Sequence, residues 1–236
     1  MYLYIKMNEE RIIKHLNEIG DEQRLEKMKR FGIDTSTAIG ISVSELRKYA
    51  RTIRKNHSLA LNLWKTNIHE ARMLAVLLDE PRKVTEEQME TWAMDFNSWD
   101  LCDYYCSNLF DKTTFARKKI NEWSKRNKEC VKRAAFSLIA ALATHDKKAS
   151  NESFEVFFPI IVRESSDERK YVKKAVNWSL RNIGKRNRFL NKRAIEIAEK
   201  MIEKKNKTSR WIATDAINEL NSQKIQDRLA KEPSKN

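Results

Sequence analysis

An all-α fold is predicted by the scarcity of turn residues, the composition, and a helix-start pattern that recurs along the chain. Only four glycines and three prolines occur in 236 residues. Sheet proteins need more turn punctuation than that. Hydrophobic residues make up 41% and charged residues 34%, a balance that suits helices with one apolar stripe and one solvated face.

Taken in order, short helices are expected between breaks near Gly20, Gly32 to Gly40, Asn56, Pro81, Asn97, Asn127, His145, Ser165, Gly184 and Asn206. Start signals support several of them. Ser42 with Glu45, and Thr85 with Gln88, have capping-box spacing, and Asp167 precedes another candidate start. Pro81 follows Leu77-Leu78-Asp79, where a helix is expected to stop. The span 1–230 reads as a single domain, and 231–236 as a flexible tail.

A weak repeat runs through this order. Ala71-Arg72-Met73-Leu74-Ala75-Val76-Leu77 resembles Lys132-Arg133-Ala134-Ala135-Phe136-Ser137-Leu138. Both resemble Lys173-Lys174-Ala175-Val176-Asn177-Trp178-Ser179-Leu180 and, more loosely, Ser209-Arg210-Trp211-Ile212-Ala213. Units of roughly 40 residues with paired helices predict HEAT-like or armadillo-like stacking, with the wider first interval spanning two units. Such repeats build a curved α-solenoid, here expected to have a basic concave face. On that face Arg72, Arg133, Lys174 and Arg210 would follow a phosphate backbone. Simple solvation of helix starts explains the same four residues equally well, although the helix dipole disfavours cations there.

Lys and Arg number 47 against 33 Asp and Glu, a net charge of +14. That excess favours a polyanionic partner by counterion release, or an anionic membrane surface, and nucleic acid is the partner expected. Cys102, Cys106 and Cys130 are an odd set without a disulfide framework, which predicts a reducing, cytoplasmic setting. No cysteine or histidine spacing completes a zinc set, and the four histidines are scattered. No metal or cofactor is expected. The opening Met1-Tyr2-Leu3-Tyr4-Ile5-Lys6 lacks the features of a signal peptide, and no apolar run is long enough to span a bilayer. Phosphate-loop motifs are absent.

The most informative stretch is Trp99-Asp100-Leu101-Cys102-Asp103. With Ser98 at the N-cap, helical spacing puts Cys102, Tyr105, Cys106 and Leu109 on the core side. Trp99 and Asp103 then share the edge, while Asp100 and Ser107 point toward solvent. A structural tryptophan with a lysine-paired aspartate is the ordinary reading of such a pair. A second constellation is Lys174, Trp178 and Arg181, one face by spacing. An indole between two cations suits a sugar or base with phosphates on either side.

Together these residues resemble the AlkD family of DNA alkylation repair glycosylases, which are built from HEAT-like repeats. The resemblance covers most of the chain. It runs from Gly40-Ile41-Ser42-Val43-Ser44-Glu45-Leu46-Arg47 through Leu63-Trp64, Glu70-Ala71-Arg72, Ser98 to Asp103 and Lys132-Arg133-Ala134-Ala135, and ends with Tyr171 to Arg181. It implies a monofunctional, metal-independent enzyme that removes N3- and N7-alkylated purines such as 3-methyladenine and 7-methylguanine. The implied partner is double-stranded DNA carrying such lesions, met by a monomer with no membrane. Asp103 matches the catalytic carboxylate, Trp99 and Trp178 the aromatics against the deoxyribose, and Arg133 the phosphate-clamping arginine. Lys132, Lys174, Arg181, Arg72 and Arg210 are the further expected DNA contacts. Two departures stand out. The basic pair follows Cys130 and Val131, where family members commonly carry a tryptophan two residues ahead of it. The N-terminal aromatic used against the duplex has only Tyr2, Tyr4, Phe31 and Tyr49 as candidates. Relatives of this fold without excision activity imply an alternative, a non-catalytic DNA-binding HEAT protein. The fold alone also permits a protein-interaction scaffold.

Overall fold

The computed structural model describes residues 8–231, all of the regular structure among them helical. Tyr2 and Tyr4, and the tail beyond Lys231, lie outside the described residues. Within the span read as one repeat domain, the chain divides into two compact units, Met1–Thr114 and Phe115–Asn236.

The first unit holds α1 (Glu9–Glu18), α2 (Glu22–Arg30), α3 (Val43–Ala50), α4 (His57–Lys65), α5 (His69–Leu78), α6 (Glu86–Met94) and α7 (Trp99–Asn108). A 3-10 turn, Phe110–Lys112, follows. Polar N-caps begin most of these helices. Asn8, Asp21, Ser42, Asn56 and Thr85 each accept a hydrogen bond from a backbone N–H of the first turn. Ser42 and Glu45 form the full reciprocal capping box. Thr85 and Gln88 form only half of one, because the Gln88 amide donates to the buried Asp79 carboxylate at 2.7 Å instead of returning to the cap.

The core of this unit is aromatic. Trp64 of α4 stacks on Trp92 of α6 at 4.6 Å, and Tyr105 of α7 meets both edge-on, at 5.0 and 5.3 Å. Phe96 and Phe110 complete the cluster. Edge-to-face and offset pairs of this kind add to the area they bury. The Tyr105 hydroxyl donates to the Arg72 carbonyl of α5 at 2.5 Å, which supplies the partner a buried phenol needs. Cys102, Cys106 and Leu109 are buried with Tyr105, so the core side of α7 is as its spacing predicts.

The second unit holds α8 (Ala116–Trp123), α9 (Glu129–His145), α10 (Glu152–Glu155), α11 (Phe158–Glu164), α12 (Lys170–Gly184), α13 (Arg188–Glu203), α14 (Lys207–Leu220) and α15 (Gln223–Ala230). Its long-range hydrogen bonds recur at the repeat interval. Arg133 reaches Tyr171, Asn182 reaches Ala140, Arg186 reaches Ala143, Arg181 reaches Glu219 and Lys204 reaches Val162. Equivalent helices therefore stack beside one another in the manner of HEAT-like repeats. Gly184 lets α12 and α14 approach closely, since a Cβ there would lie 2.6 Å from Leu220 Cδ1.

Helix boundaries depart from expectation in places. The helix after Ser165 starts at Lys170, and Asp167 accepts from the Arg169 N–H ahead of it. Breaks between α4 and α5 and around Phe110 carry no glycine or proline. In the first, Asn67 takes the left-handed conformation at φ 59°, which asparagine tolerates better than most residues.

Candidate nucleic-acid interface

In the first unit the candidate site is the start of α7. Ser98 is its N-cap in extended conformation, and Trp99 and Asp103 lie one turn apart, both half-buried. The aromatic core grips the opposite side of the helix through Tyr105, so these two side chains stand at its rim. The Trp99 indole N–H donates to the Phe31 carbonyl at 3.1 Å, which fixes the ring plane. Phe31 itself is 72% exposed, at the end of α2 beside Gly32, whose φ is 72°.

The loop that supplies Phe31 is pinned from α5. Fully buried Glu70 accepts from the N–H groups of Ile39, Gly40 and Ile41 at 2.8, 2.8 and 3.2 Å. Gly40 is obligatory there: its φ is 92°, and a Cβ would lie 2.1 Å from the Asp21 carbonyl oxygen. Asp34 of the same loop accepts from the Asn97 side-chain amide at 2.8 Å, one residue before the N-cap of α7.

Asp100 corrects the sequence reading. Placed toward solvent by helical spacing, it instead turns back to α5, where its Oδ2 lies 3.0 Å from Nε2 of buried His69. Charge pairing outweighs the spacing rule, because a buried imidazole needs a partner. Burial of His69 disfavours its charged form, but Asp100, with Glu70 and Asp34 behind it, overcomes this and holds the imidazole above its ordinary pKa. Burial likewise raises the Asp100 carboxyl, and the contact with His69 more than offsets it, leaving that pKa below the usual value. Burial pushes the Cys106 thiol well up, with Cys102 and then Asp103 adding to the effect, so Cys106 is no nucleophile.

The expected basic contacts fall into two kinds. Arg72 is only 8% exposed. Its guanidinium lies 4.3 Å over the Trp64 ring, its Nε donates to the Trp64 carbonyl, and its Nη2 lies 3.5 Å from Asp95. Arg133 of α9 is 6% exposed, with Nη1 donating to the Tyr171 carbonyl at 2.6 Å. Lys132 sits between Glu164 and Asp167, at 2.5 and 3.6 Å. Arg181 of α12 reaches Glu219 and Asp215 of α14, at 2.6 and 3.4 Å. Lys174 and Arg210, by contrast, are exposed, and Trp178 is half-buried. The His69–Asp100 pair and the three-fold role of Glu70 had no separate signal in the sequence, because both depend on which way a loop folds back.

Among the described residues no group of histidine, cysteine and carboxylate side chains is placed to hold a metal ion. No helix among them is long and apolar enough to cross a membrane.

These helices, stacked at intervals near 40 residues, form an all-α fold of the HEAT-like repeat class. A solved structure with the same fold belongs to a new family of proteins related to the HEAT-like repeat DNA glycosylases with affinity for branched DNA structures. The two superpose with a TM-score of 0.73 at 19% identity, over 82% of this chain and 83% of that one. Residues 12–220 match the family described as DNA alkylation repair enzyme, and the chain belongs to that family. Uncharacterised proteins of Listeria innocua serovar 6a and Listeria monocytogenes serovar 1/2a are 26% and 25% identical to it over 108 residues. Each match covers 44% of this chain and 48% of the Listeria protein, so the chain spans about half the length of these curated relatives.

Proposed function

We propose that the protein is a monofunctional DNA glycosylase that hydrolyses the N-glycosidic bond of N3- and N7-alkylated purines. The observation that carries this reading is the half-buried pair of Trp99 and Asp103 at the rim of α7, held in place by a core that leaves both reachable. Family membership supports the same conclusion.

An alkylated purine such as 7-methylguanine already carries positive charge. When the glycosidic bond breaks, its electron pair goes to the base, which leaves neutral without a proton donor. The positive charge passes to the sugar. A fixed carboxylate at Asp103 stabilises that charge as it develops, and a preorganised interaction of this type is worth about 3–4 kcal/mol. Water then adds to the sugar carbon and loses its proton to the carboxylate or to solvent. The electron-rich face of Trp99 favours the same positive character, and Trp178 of the second unit is the residue that matches the family's other sugar-packing aromatic. Arg133 matches the phosphate-clamping arginine, but at 6% exposed and with Nη1 donating to the Tyr171 carbonyl it is as enclosed as Arg72 and offers phosphate less than an exposed cation does. Lys174 and Arg210 add exposed charge for the backbone. Lys132, Arg181 and Arg72 are neutralised or enclosed locally and contribute less.

One observation favours a second reading, a DNA-binding protein without excision. The solved structure with the same fold is of a protein group with affinity for branched DNA structures. Incubation with methylated genomic DNA separates the two. Free 7-methylguanine or 3-methyladenine in the supernatant, identified by mass spectrometry and formed in the presence of chelator, supports the glycosylase. DNA retained on the protein with no base released supports the second reading.

A further inference from the structure

Trp211 is the feature of the second unit that the proposed chemistry does not use. It lies in the first turns of α14 and is 43% exposed. The Lys173 ammonium of α12 lies 5.3 Å over its ring. The two helices are in register here. Asn177 meets Asp215 at 2.7 Å, and Arg181 meets Glu219, each one helical turn further along. Position 173 against 211 is therefore the first rung of a ladder, and it is the rung without a carboxylate.

The surroundings of this indole are cationic. Lys170 and Lys174 of α12, and Lys207 and Arg210 of α14, are all exposed. Asp215, the next acidic group along α14, is already taken by Asn177 and Arg181. A hydrophobic protein partner would need an apolar patch around the ring, and a cluster of like charges does not supply one. A nucleic-acid strand matches both properties, since its bases offer flat π faces and its phosphates offer negative charge.

We propose that Trp211, with Lys173 set over its ring, is a stacking platform for an unpaired base of a DNA strand whose phosphates lie among Lys170, Lys174, Lys207 and Arg210. A fully paired duplex keeps its bases stacked on one another, so the platform selects DNA with a single-stranded arm, gap or junction. The inference rests on the DNA-binding part of the proposed function and does not require base excision.

The test uses the full chain and two fluorescently labelled duplexes, one fully paired and one with a single-stranded arm, in binding titrations by anisotropy. Trp211→Ala is expected to lose about tenfold or more in affinity for the armed duplex, as removal of one base-stacking aromatic does, and much less for the paired one. Trp211→Phe, which keeps a ring, retains most of the wild-type preference. Phe189→Ala removes another exposed aromatic and leaves both affinities at the wild-type level. The proposal is overturned if Trp211→Ala binds the armed duplex as tightly as wild type, or if it loses equally on both duplexes. Base release by the wild-type protein is scored separately. Its absence, with the Trp211 effect intact, removes the glycosylase reading alone, whereas wild-type protein that binds neither duplex removes the DNA-binding reading together with this one.

Discussion

Arg72 and Arg210 occupy the same position of the same recurring pattern, the fourth residue of a small, apolar helix. Their environments are opposite. In the first unit Arg72 is folded inward over Trp64 and held by a carbonyl and by Asp95. In the second unit Arg210 stands in solvent beside an exposed tryptophan. The tryptophans follow the same local rule and not the unit: Trp64 and Trp92 are stacked in the core of the first unit and Trp123 is buried in the second, while Trp99, Trp178 and Trp211 keep some exposure. A repeated cation is therefore a poor guide to a binding surface on its own. What decides is whether the neighbouring helix offers it an aromatic face and a carbonyl at its end.

The largest effect bearing on this contrast is expected at Glu70, which anchors the loop before α3. Glu70→Ala strands three N–H donors, two of them buried, and we expect a loss on the order of 4 kcal/mol of folding stability, read by urea denaturation. A loss within 1 kcal/mol would mean that the loop is held by something else. Next in size is the arginine pair. Arg72→Ala should cost about 2 kcal/mol, because it removes a cation–π contact, one hydrogen bond to the Trp64 carbonyl and the packing of a buried side chain. Arg210→Ala should stay within about 0.5 kcal/mol of wild type. DNA binding should reverse the order: Arg210→Ala lowers the salt dependence by about one unit of slope, and Arg72→Ala leaves it unchanged in the folded fraction. Similar stability losses for both would erase the distinction between the two arginines.

A smaller, pH-dependent effect belongs to His69 and Asp100. The folded imidazole pKa lies above its ordinary 6.5, so its contribution is fully present below that pH and fades as pH rises through the raised folded value. The Asp100 carboxyl is depressed below 3.8, so its contribution is present above that pH and fades as pH falls through the lowered value. The stability gap between wild type and His69→Gln should therefore be widest from about pH 4 to 6.5 and narrow toward pH 9. A gap that widens above pH 7 would show that His69 serves as a neutral group.

Much of this was legible in the chain. The paucity of glycine and proline announces helices, and the period of α7 places Cys102, Tyr105 and Cys106 in the core where they are found. The repeat interval appears again in the hydrogen bonds of the second unit. What spacing does not encode is where a polar side chain finds its partner. Asp100 has the helical angle of a surface residue and turns inward because His69 is waiting there. Gln88 has the spacing of a cap and is drawn to Asp79. The break at Asn67 carries none of the usual punctuation because asparagine takes the left-handed turn itself. Each of these depends on tertiary neighbours, which a local pattern does not contain.

The central claim is that the Asp103 carboxylate stabilises the positive sugar as the damaged base departs. Single-turnover release of 7-methylguanine from a methylated duplex by Asp103→Asn, measured beside duplex affinity, tests it most directly. Release is expected to slow by a factor on the order of 10²–10³ while affinity stays within about twofold of wild type. Release by the asparagine variant at the wild-type rate would contradict it.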